Sequence, residues 1–186
     1  MSRHVKGSLF VDYVRMLRSQ KQVDWSRRLD SADLALLHRQ VNPDEWYSME
    51  AFERFGLAIL EDIAHGDLIA VRIWGRMSTE FQVATHPSLL VAGDPCESMM
   101  RFLVLRLSFF DFEVLSIPHL TDTEAIIHVH YGMSLHAEQA ACFQTLGFLS
   151  RLVELAGGHK VVAALKQRLW EGDPATVISI EWRREP

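Results

Sequence analysis

Residues 112–131 read FEVLSIPHLTDTEAIIHVHY, and this stretch decides the class of fold. Its apolar and polar side chains alternate with a period of two, which is typical of β-strands rather than helices. The pattern predicts strands over Phe112–Leu120 and Glu124–Tyr131, with Thr121-Asp122-Thr123 as the turn between them. Because so short a turn joins antiparallel strands, the stretch predicts a β-hairpin.

A second hairpin is predicted near the end of the chain, over Lys160–Gln167 and Thr176–Trp182. We expect Trp182 to be buried, because it alternates with polar residues along the last strand. A long helix from Ser134 to Ala156 joins the two hairpins, and its apolar seam contains Cys142, Leu146, Leu149, Val153 and Ala156. The predicted class is α+β, with a helical N-terminal half packed on a small antiparallel sheet of two hairpins joined by this helix.

The chain before residue 112 shows helical periodicity. Helices are predicted over residues 6–21, from Ser31 to His38, from Ser48 until Gly66, after Asp67 and from Asp94 to Phe110. The clearest helix start is Asp94-Pro95-Cys96-Glu97, which combines an acidic N-cap, a proline and a glutamate at favourable positions. The inward faces of the last two helices are predicted to carry Val71, Trp74 and Phe81, and Met99, Leu103, Leu107 and Phe110.

The composition excludes several classes of protein. The chain has 186 residues, 48% of them hydrophobic, with two cysteines and a formal net charge of −5. These values predict one domain over residues 1–186 with its own core, not a disordered or disulfide-framework chain. The negative charge argues against a nucleic-acid partner. No apolar run is long enough for a membrane span or a secretory signal, so we expect a cytoplasmic protein without membrane insertion.

Two histidines lie on one predicted strand, at His128 and His130. Side chains two apart on a strand share a face, so the pair is expected to face solvent or a groove. Metal binding is the minor alternative, because zinc usually takes three or four protein ligands and only His119 offers a possible third. We predict no metal site, with these three histidines as weak candidates.

No catalytic constellation is recognisable in the sequence. There is no Gly-x-Ser-x-Gly elbow, and Ala156-Gly157-Gly158-His159 resembles a helix end more than a phosphate loop. Cys96 and Cys142 are isolated, which favours buried thiols over a redox pair. We therefore predict neither enzymatic activity nor a cofactor.

The aromatic residues of the helical half suggest an apolar cavity between helices and sheet. Its predicted lining consists of Trp74, Met99, Phe102, Leu103 and Cys142, with Met100 nearby. Methionine suits such a lining because its side chain adapts to irregular shapes. The alternative is a fully packed interior.

Several segments together resemble a myxobacterial paralogous family of unassigned function. They are Val5-Lys6-Gly7-Ser8-Leu9-Phe10, Trp46-Tyr47-Ser48, Gly75-Arg76-Met77-Ser78, the stretch from Phe148 to Gly158, and Glu171-Gly172-Asp173 ahead of Ile180-Glu181-Trp182. The family is distantly similar to haem-nitric-oxide-binding, vinyl-reductase-type and trafficking-particle domains. The resemblance spans about residues 5–182 and implies a mixed helix and sheet domain with a binding or regulatory role.

The sequence departs from two branches of that relationship. The haem branch takes its iron ligand from a histidine on a central helix and holds the propionates with Tyr-x-Ser-x-Arg. The helix from Asp94 to Phe110 has no histidine, and that motif occurs nowhere. The vinyl-reductase-type branch often carries cysteine for metal near its last hairpin, where this chain reads Gln167-Arg168-Leu169-Trp170.

We therefore predict a non-enzymatic signalling module that binds a small apolar ligand in the cavity. The alternative is a dimerising protein-interaction scaffold without a ligand. A homodimer is predicted because the helical half holds more large apolar side chains than one sheet face covers. Its predicted surface combines the first helix and the Ser48 helix, through Phe10, Val14, Leu17, Phe52 and Phe55.

Overall fold

A computed structural model describes residues 2–184, which form six α-helices and six β-strands. The chain divides into two compact units. The first takes in the chain up to Asp67 together with Ser108–Phe112, and the second takes in Leu68–Leu107 and the chain from Glu113 onward. The single domain over residues 1–186 stays a prediction.

The first unit is mainly helical. Its elements are β1 (His4–Lys6), α1 (Gly7–Ser19), α2 (Ser31–His38), β2 (Trp46–Ser48) and α3 (Met49–Ala58), the last followed by a π-helical turn. β1 and β2 pair in antiparallel fashion, with Val5 opposite Tyr47. These strands have only three residues each, too few to show an alternating pattern in the sequence.

The core of the first unit is aromatic, and it corrects the predicted dimer surface. The Phe10 ring lies 4.8 Å from that of Phe55 and 6.1 Å from that of Phe52, measured between centroids. Val14 and Leu17 of α1 are buried as well. The apolar faces of α1 and α3 therefore pack on each other, so the surface predicted for the homodimer is wrong.

The second unit combines helices with the main sheet. Its elements are α4 (Leu68–Thr85), α5 (Pro95–Leu107), β3 (Leu115–Leu120), β4 (Glu124–Val129), α6 (Leu135–Leu155), β5 (His159–Gln167) and β6 (Thr176–Arg183). The strand order is β3-β4-β6-β5, with every neighbouring pair antiparallel. The predicted α+β class and both predicted hairpins are confirmed.

One face of this sheet is buried, as the alternating pattern requires. Ile127 of β4 and Ile178 of β6 are fully buried partners in the register. Trp182 has only 3% of its surface exposed, which confirms its predicted burial. All five predicted seam residues of α6 are buried, and α6 packs on β5 and β6.

α4 and α6 cross at unusually short range because a glycine lies on each side. A Cβ atom at Gly75 would overlap the backbone carbonyl of Gln144, and one at Gly147 would overlap that of Arg72. Next to this crossing the Thr79 hydroxyl donates to the Phe148 carbonyl at 3.0 Å. Such close packing is a physical reason for glycine in the middle of each helix, since any larger residue would separate them.

The glycine contact also determines which side of α4 faces inward. The buried positions are Val71, Gly75 and Thr79, so small side chains occupy the inner face. Phe81, predicted to point inward, is 54% exposed. On α5 Leu107 likewise faces solvent, although Met99 is buried as predicted.

Two helix starts expected from the sequence are capped by side chains. The Asp94 carboxylate accepts from the Glu97 amide at 2.9 Å, and the Ser48 hydroxyl accepts from the Ala51 amide at 3.1 Å. Among the described residues, no helix combines the length and the apolar character that crossing a bilayer demands.

Candidate ligand-binding groove

The second unit carries a groove on the outer side of α5, with a volume of about 470 Å³. Its apolar lining consists of Leu89, Met100, Val104 and Leu105, and its polar lining consists of His86, Ser88, Glu97 and Arg101. Met100 is 42% and Val104 is 65% exposed, so the apolar surface is open to solvent. The volume lies in the range of about 300–1,000 Å³ that is usual for small-molecule sites.

Arg101 holds the two walls of the groove together. Its Nη1 donates to the Ser88 carbonyl at 2.8 Å, which ties α5 to the short turn after α4. Its Nε donates to Glu97 Oε1 at 2.8 Å, one helical turn earlier. Ser98 adds a second tie, since its hydroxyl accepts from the Val91 amide at 2.9 Å.

This arrangement suits an apolar ligand with a small polar group. The Arg101 and Glu97 charges already neutralise each other at the rim, so the groove offers no large excess charge of either sign. Met100 beside Val104 offers a surface that can adjust to ligands of different shape. The groove surface is therefore mainly apolar and close to neutral in charge.

The residues predicted to line a pocket lie elsewhere in the second unit. Met99, Phe102 and Cys142 are buried, and the Phe102 ring stacks on that of Phe148 at 4.6 Å. Trp74 and Leu103 are half-buried. None of these five side chains lines the groove, and their role around a ligand stays a prediction. The two faces of α5 explain the difference, since Met99 and Phe102 point inward and Met100 and Val104 outward.

The outward apolar row of α5 is visible in the sequence, although the inward row alone was expected to line a pocket. Met100 and Val104 are four residues apart, which places them one above the other on a helix. They form a second apolar row on α5, beside the inward row. When neighbouring elements cover only one side of a helix, a second apolar row on its other side remains exposed to solvent.

A buried polar network lies behind α5 in the same unit. The Tyr131 hydroxyl accepts from Arg106 Nη2 at 2.6 Å and hydrogen-bonds the Thr145 hydroxyl at 2.6 Å. The fully buried Glu138 carboxylate accepts from the backbone amides of Tyr131 at 2.6 Å and Met133 at 3.0 Å. These bonds fix the turn between β4 and α6, which sequence periodicity had left undefined.

Two protonated groups lie in this part of the unit. Burial raises the pKa of the Tyr131 phenol, and burial also raises the pKa of the Cys142 thiol. Both groups therefore stay protonated near neutral pH, and a protonated thiol is a poor nucleophile. Cys96 is also a free thiol, and its Sγ donates to the Thr121 carbonyl at 2.9 Å.

The candidate metal ligands do not converge. His128 on β4 and His130, the residue after its end, are exposed between buried Ile127, Val129 and Tyr131, as the alternation predicts. His119 Nε2 lies 3.8 Å from Glu124 Oε2. Across residues 2–184 no group of three or more His, Cys, Asp or Glu side chains could hold a metal ion.

Comparison with known proteins reveals a shared fold. The chain is similar to an H-NOX protein from S. oneidensis in the Fe(II)NO ligation state, with 11% identity, a TM-score of 0.64, and coverage of 96% of this chain and 99% of that one. It is also similar to a mutant of the T. tengcongensis H-NOX, with 12% identity, a TM-score of 0.64, and coverage of 96% and 98%. A third similar structure is an unliganded Fe(II) H-NOX mutant from K. algicida. It has 11% sequence identity and a TM-score of 0.63, and the match covers 97% of each chain.

The chain has an H-NOX-like fold. The low identities restrict this conclusion to the architecture. No protein-family model matches the sequence, and a search of curated proteins finds no match either.

The H-NOX-like fold raises the question of whether these residues could hold haem. The resemblance implies an iron-bound histidine on the central helix, but α5 has none between Pro95 and Leu107. The motif's tyrosine position could be Tyr131, yet Met133 and Leu135 stand two and four residues later in place of serine and arginine. The Tyr131 hydroxyl is also engaged with Arg106 and Thr145 inside the unit. These residues do not fit haem held in that way.

Proposed function

We propose that the protein is a non-enzymatic signalling module that binds a small apolar molecule in the groove beside α5. The observation that carries this proposal is the open apolar lining of the groove, about 470 Å³ in volume, with Met100 and Val104 at its centre. Burying these side chains against a ligand removes apolar surface from water and provides the driving force.

The fold supports the proposal by analogy only. The S. oneidensis H-NOX protein has a structure in the Fe(II)NO ligation state. The same architecture therefore accommodates a small ligand in another protein. Since the haem-holding residues do not fit here, we propose an apolar organic ligand and no cofactor. We also propose a cytoplasmic location, no nucleic-acid partner, and membership of the myxobacterial family named above. The ligand pocket of Trp74, Met99, Phe102, Leu103 and Cys142 remains a second proposed location in the same unit.

The groove is tested with the fluorescent apolar probe 8-anilinonaphthalene-1-sulfonate. We expect saturable binding to the folded chain, and we expect Val104→Lys or Met100→Lys to weaken it by about tenfold or more, because a lysine places a charge in the apolar lining. Leu135→Lys is the matched control, since Leu135 is 55% exposed but does not line the groove. Equal binding by all variants, or no binding by the unmodified chain, would contradict the proposal.

A second candidate function is a dimerising protein-interaction scaffold. It is favoured by exposed large apolar side chains on α4, at Ile69, Ile73, Met77 and Phe81. Light scattering of the purified chain tests it. A mass of one chain that does not change with concentration would exclude a homodimer.

A further inference from the structure

One row of α4 exposes four large apolar side chains in succession. Ile69, Ile73, Met77 and Phe81 recur every four residues and are 69%, 50%, 63% and 54% exposed. On a helix, side chains four apart form a continuous ridge. We call these four residues the α4 ridge.

The α4 ridge is a consequence of how α4 packs. Its inner face is occupied by Val71, Gly75 and Thr79, where α4 lies against α6. The side chains on the other side are therefore turned away from that contact. Together the four expose roughly 450 Å², within the range of about 300–600 Å² that the largest functional patches on monomers reach.

We propose that the α4 ridge packs against the same ridge of a second copy, around a two-fold axis that passes between Ile73 and Met77. The inference rests on the dimerising scaffold proposed above and specifies its surface. Ridges with a four-residue repeat interdigitate when two helices cross at about −50°. A two-fold axis at this point pairs Ile73 with the partner's Met77, and Ile69 with the partner's Phe81.

Charged residues beside the ridge favour an antiparallel arrangement of the two α4 helices. Arg72 flanks the N-terminal half of the ridge, and Glu80 flanks the C-terminal half on the same side. Antiparallel pairing brings Arg72 toward the partner's Glu80 twice, whereas parallel pairing leaves these charges on opposite sides of the contact. Glu80 bonds Arg151 within its own chain at 2.7 Å but remains 60% exposed, so it can meet a second arginine.

The buried area predicts a weak dimer. Covering the ridge on both copies removes roughly 900 Å² from water, before any neighbouring residue is counted. Specific interfaces begin at about 1,000 Å², and stable ones bury about 1,200–2,000 Å². We therefore expect reversible association that depends on concentration in the micromolar range.

Sedimentation velocity of the full chain across micromolar concentrations tests the inference. We expect Ile73→Glu and Met77→Glu to raise the dissociation constant of the dimer at least tenfold, because each places a charge at the axis. Leu135→Glu serves as the control, being equally exposed but outside α4, and should leave the constant unchanged. All three positions are exposed, and circular dichroism verifies that each variant folds.

A charge exchange tests the orientation. Arg72→Glu or Glu80→Arg alone should weaken the dimer several-fold, and the two combined in one chain should restore it. A dimer that tolerates every α4 substitution would overturn the surface while leaving dimerisation intact. A monomer at all concentrations would overturn both the inference and the dimerising scaffold.

Discussion

Glu154 of α6 forms ion pairs with two arginines, and these pairs lower its pKa. Its carboxylate accepts from Arg76 Nη1 at 2.9 Å and Nη2 at 2.7 Å, and from Arg151 Nη1 at 3.1 Å. The hydrogen bond from Arg76 contributes most to holding its pKa below the ordinary value, and burial opposes the shift. The group therefore ties the C-terminal part of α6 to α4 by paired charges.

We predict that Glu154→Gln destabilises the second unit by about 1 kcal/mol at pH 7, since the pair is partly open to solvent. A lowered pKa in the folded state adds stability that is complete above the unfolded pKa and is lost as the pH falls through the folded value. The difference between variant and unmodified chain should thus shrink below about pH 4.5. Urea unfolding at a series of pH values measures it.

The control for this prediction is the same substitution in an Arg76→Gln/Arg151→Gln background. There the partners are absent, so Glu154→Gln should change the free energy of unfolding little at any pH. An undiminished effect at acid pH in the native background would show that the charge pair is not the cause.

At the scale of elements, the crossing of α4 and α6 depends on two glycines. Each helix presents a glycine to the other's backbone, and the neighbouring Thr79 hydroxyl bridges to α6. Mid-helix glycine is unfavourable by about 1 kcal/mol relative to alanine, so its occurrence at both sides of one crossing points to packing as the reason.

We predict that Gly75→Ala and Gly147→Ala each destabilise the fold by about 3 kcal/mol, because the added methyl group meets backbone that cannot move aside. Gly56→Ala in α3 is the matched control. Its new Cβ would lie 3.3 Å from a Tyr13 ring carbon, which belongs to a side chain that can shift. Thermal unfolding of the three variants and the unmodified chain measures the loss of stability in each variant. A loss for Gly56→Ala as large as for the other two would contradict this account.

At the scale of the whole molecule, an H-NOX-like fold is combined with residues that do not fit haem. The architecture extends over nearly the entire length of the chain and of its structural neighbours. The absence of histidine from α5 and the engaged Tyr131 separate the fold from the haem chemistry of those neighbours.

We predict that the protein does not retain haem. Incubation with hemin followed by gel filtration should leave no stoichiometric Soret band with the protein, because no axial histidine is available on α5. The S. oneidensis H-NOX protein, treated in the same way, provides the positive control. A stable one-to-one Soret complex would refute the prediction and point to a ligand outside α5.

Elements whose pattern is local can be predicted from the amino-acid sequence alone. The period-two stretch around Ile127 predicted the first hairpin, the seam through Leu149 predicted α6, and Asp94-Pro95 predicted the start of α5. In each case the residues that define the pattern lie within about twenty positions of one another. Local periodicity and capping are sufficient there, because each reflects the geometry of a single helix or hairpin.

Which apolar surfaces are covered depends on contacts between segments that are distant in the sequence. α4 has large apolar side chains on one side and small side chains on the opposite side. Hydrophobic periodicity predicts that the large side chains face the core. The close approach of Gly75 to α6 reverses that expectation and leaves the α4 ridge outside. The pairing of β1 with β2, some forty residues apart, and the groove between α5 and the turn after α4 arise in the same way. Each of these features depends on which two segments pack together. The interaction free energy arises from both segments jointly, so neither segment's sequence predicts it alone.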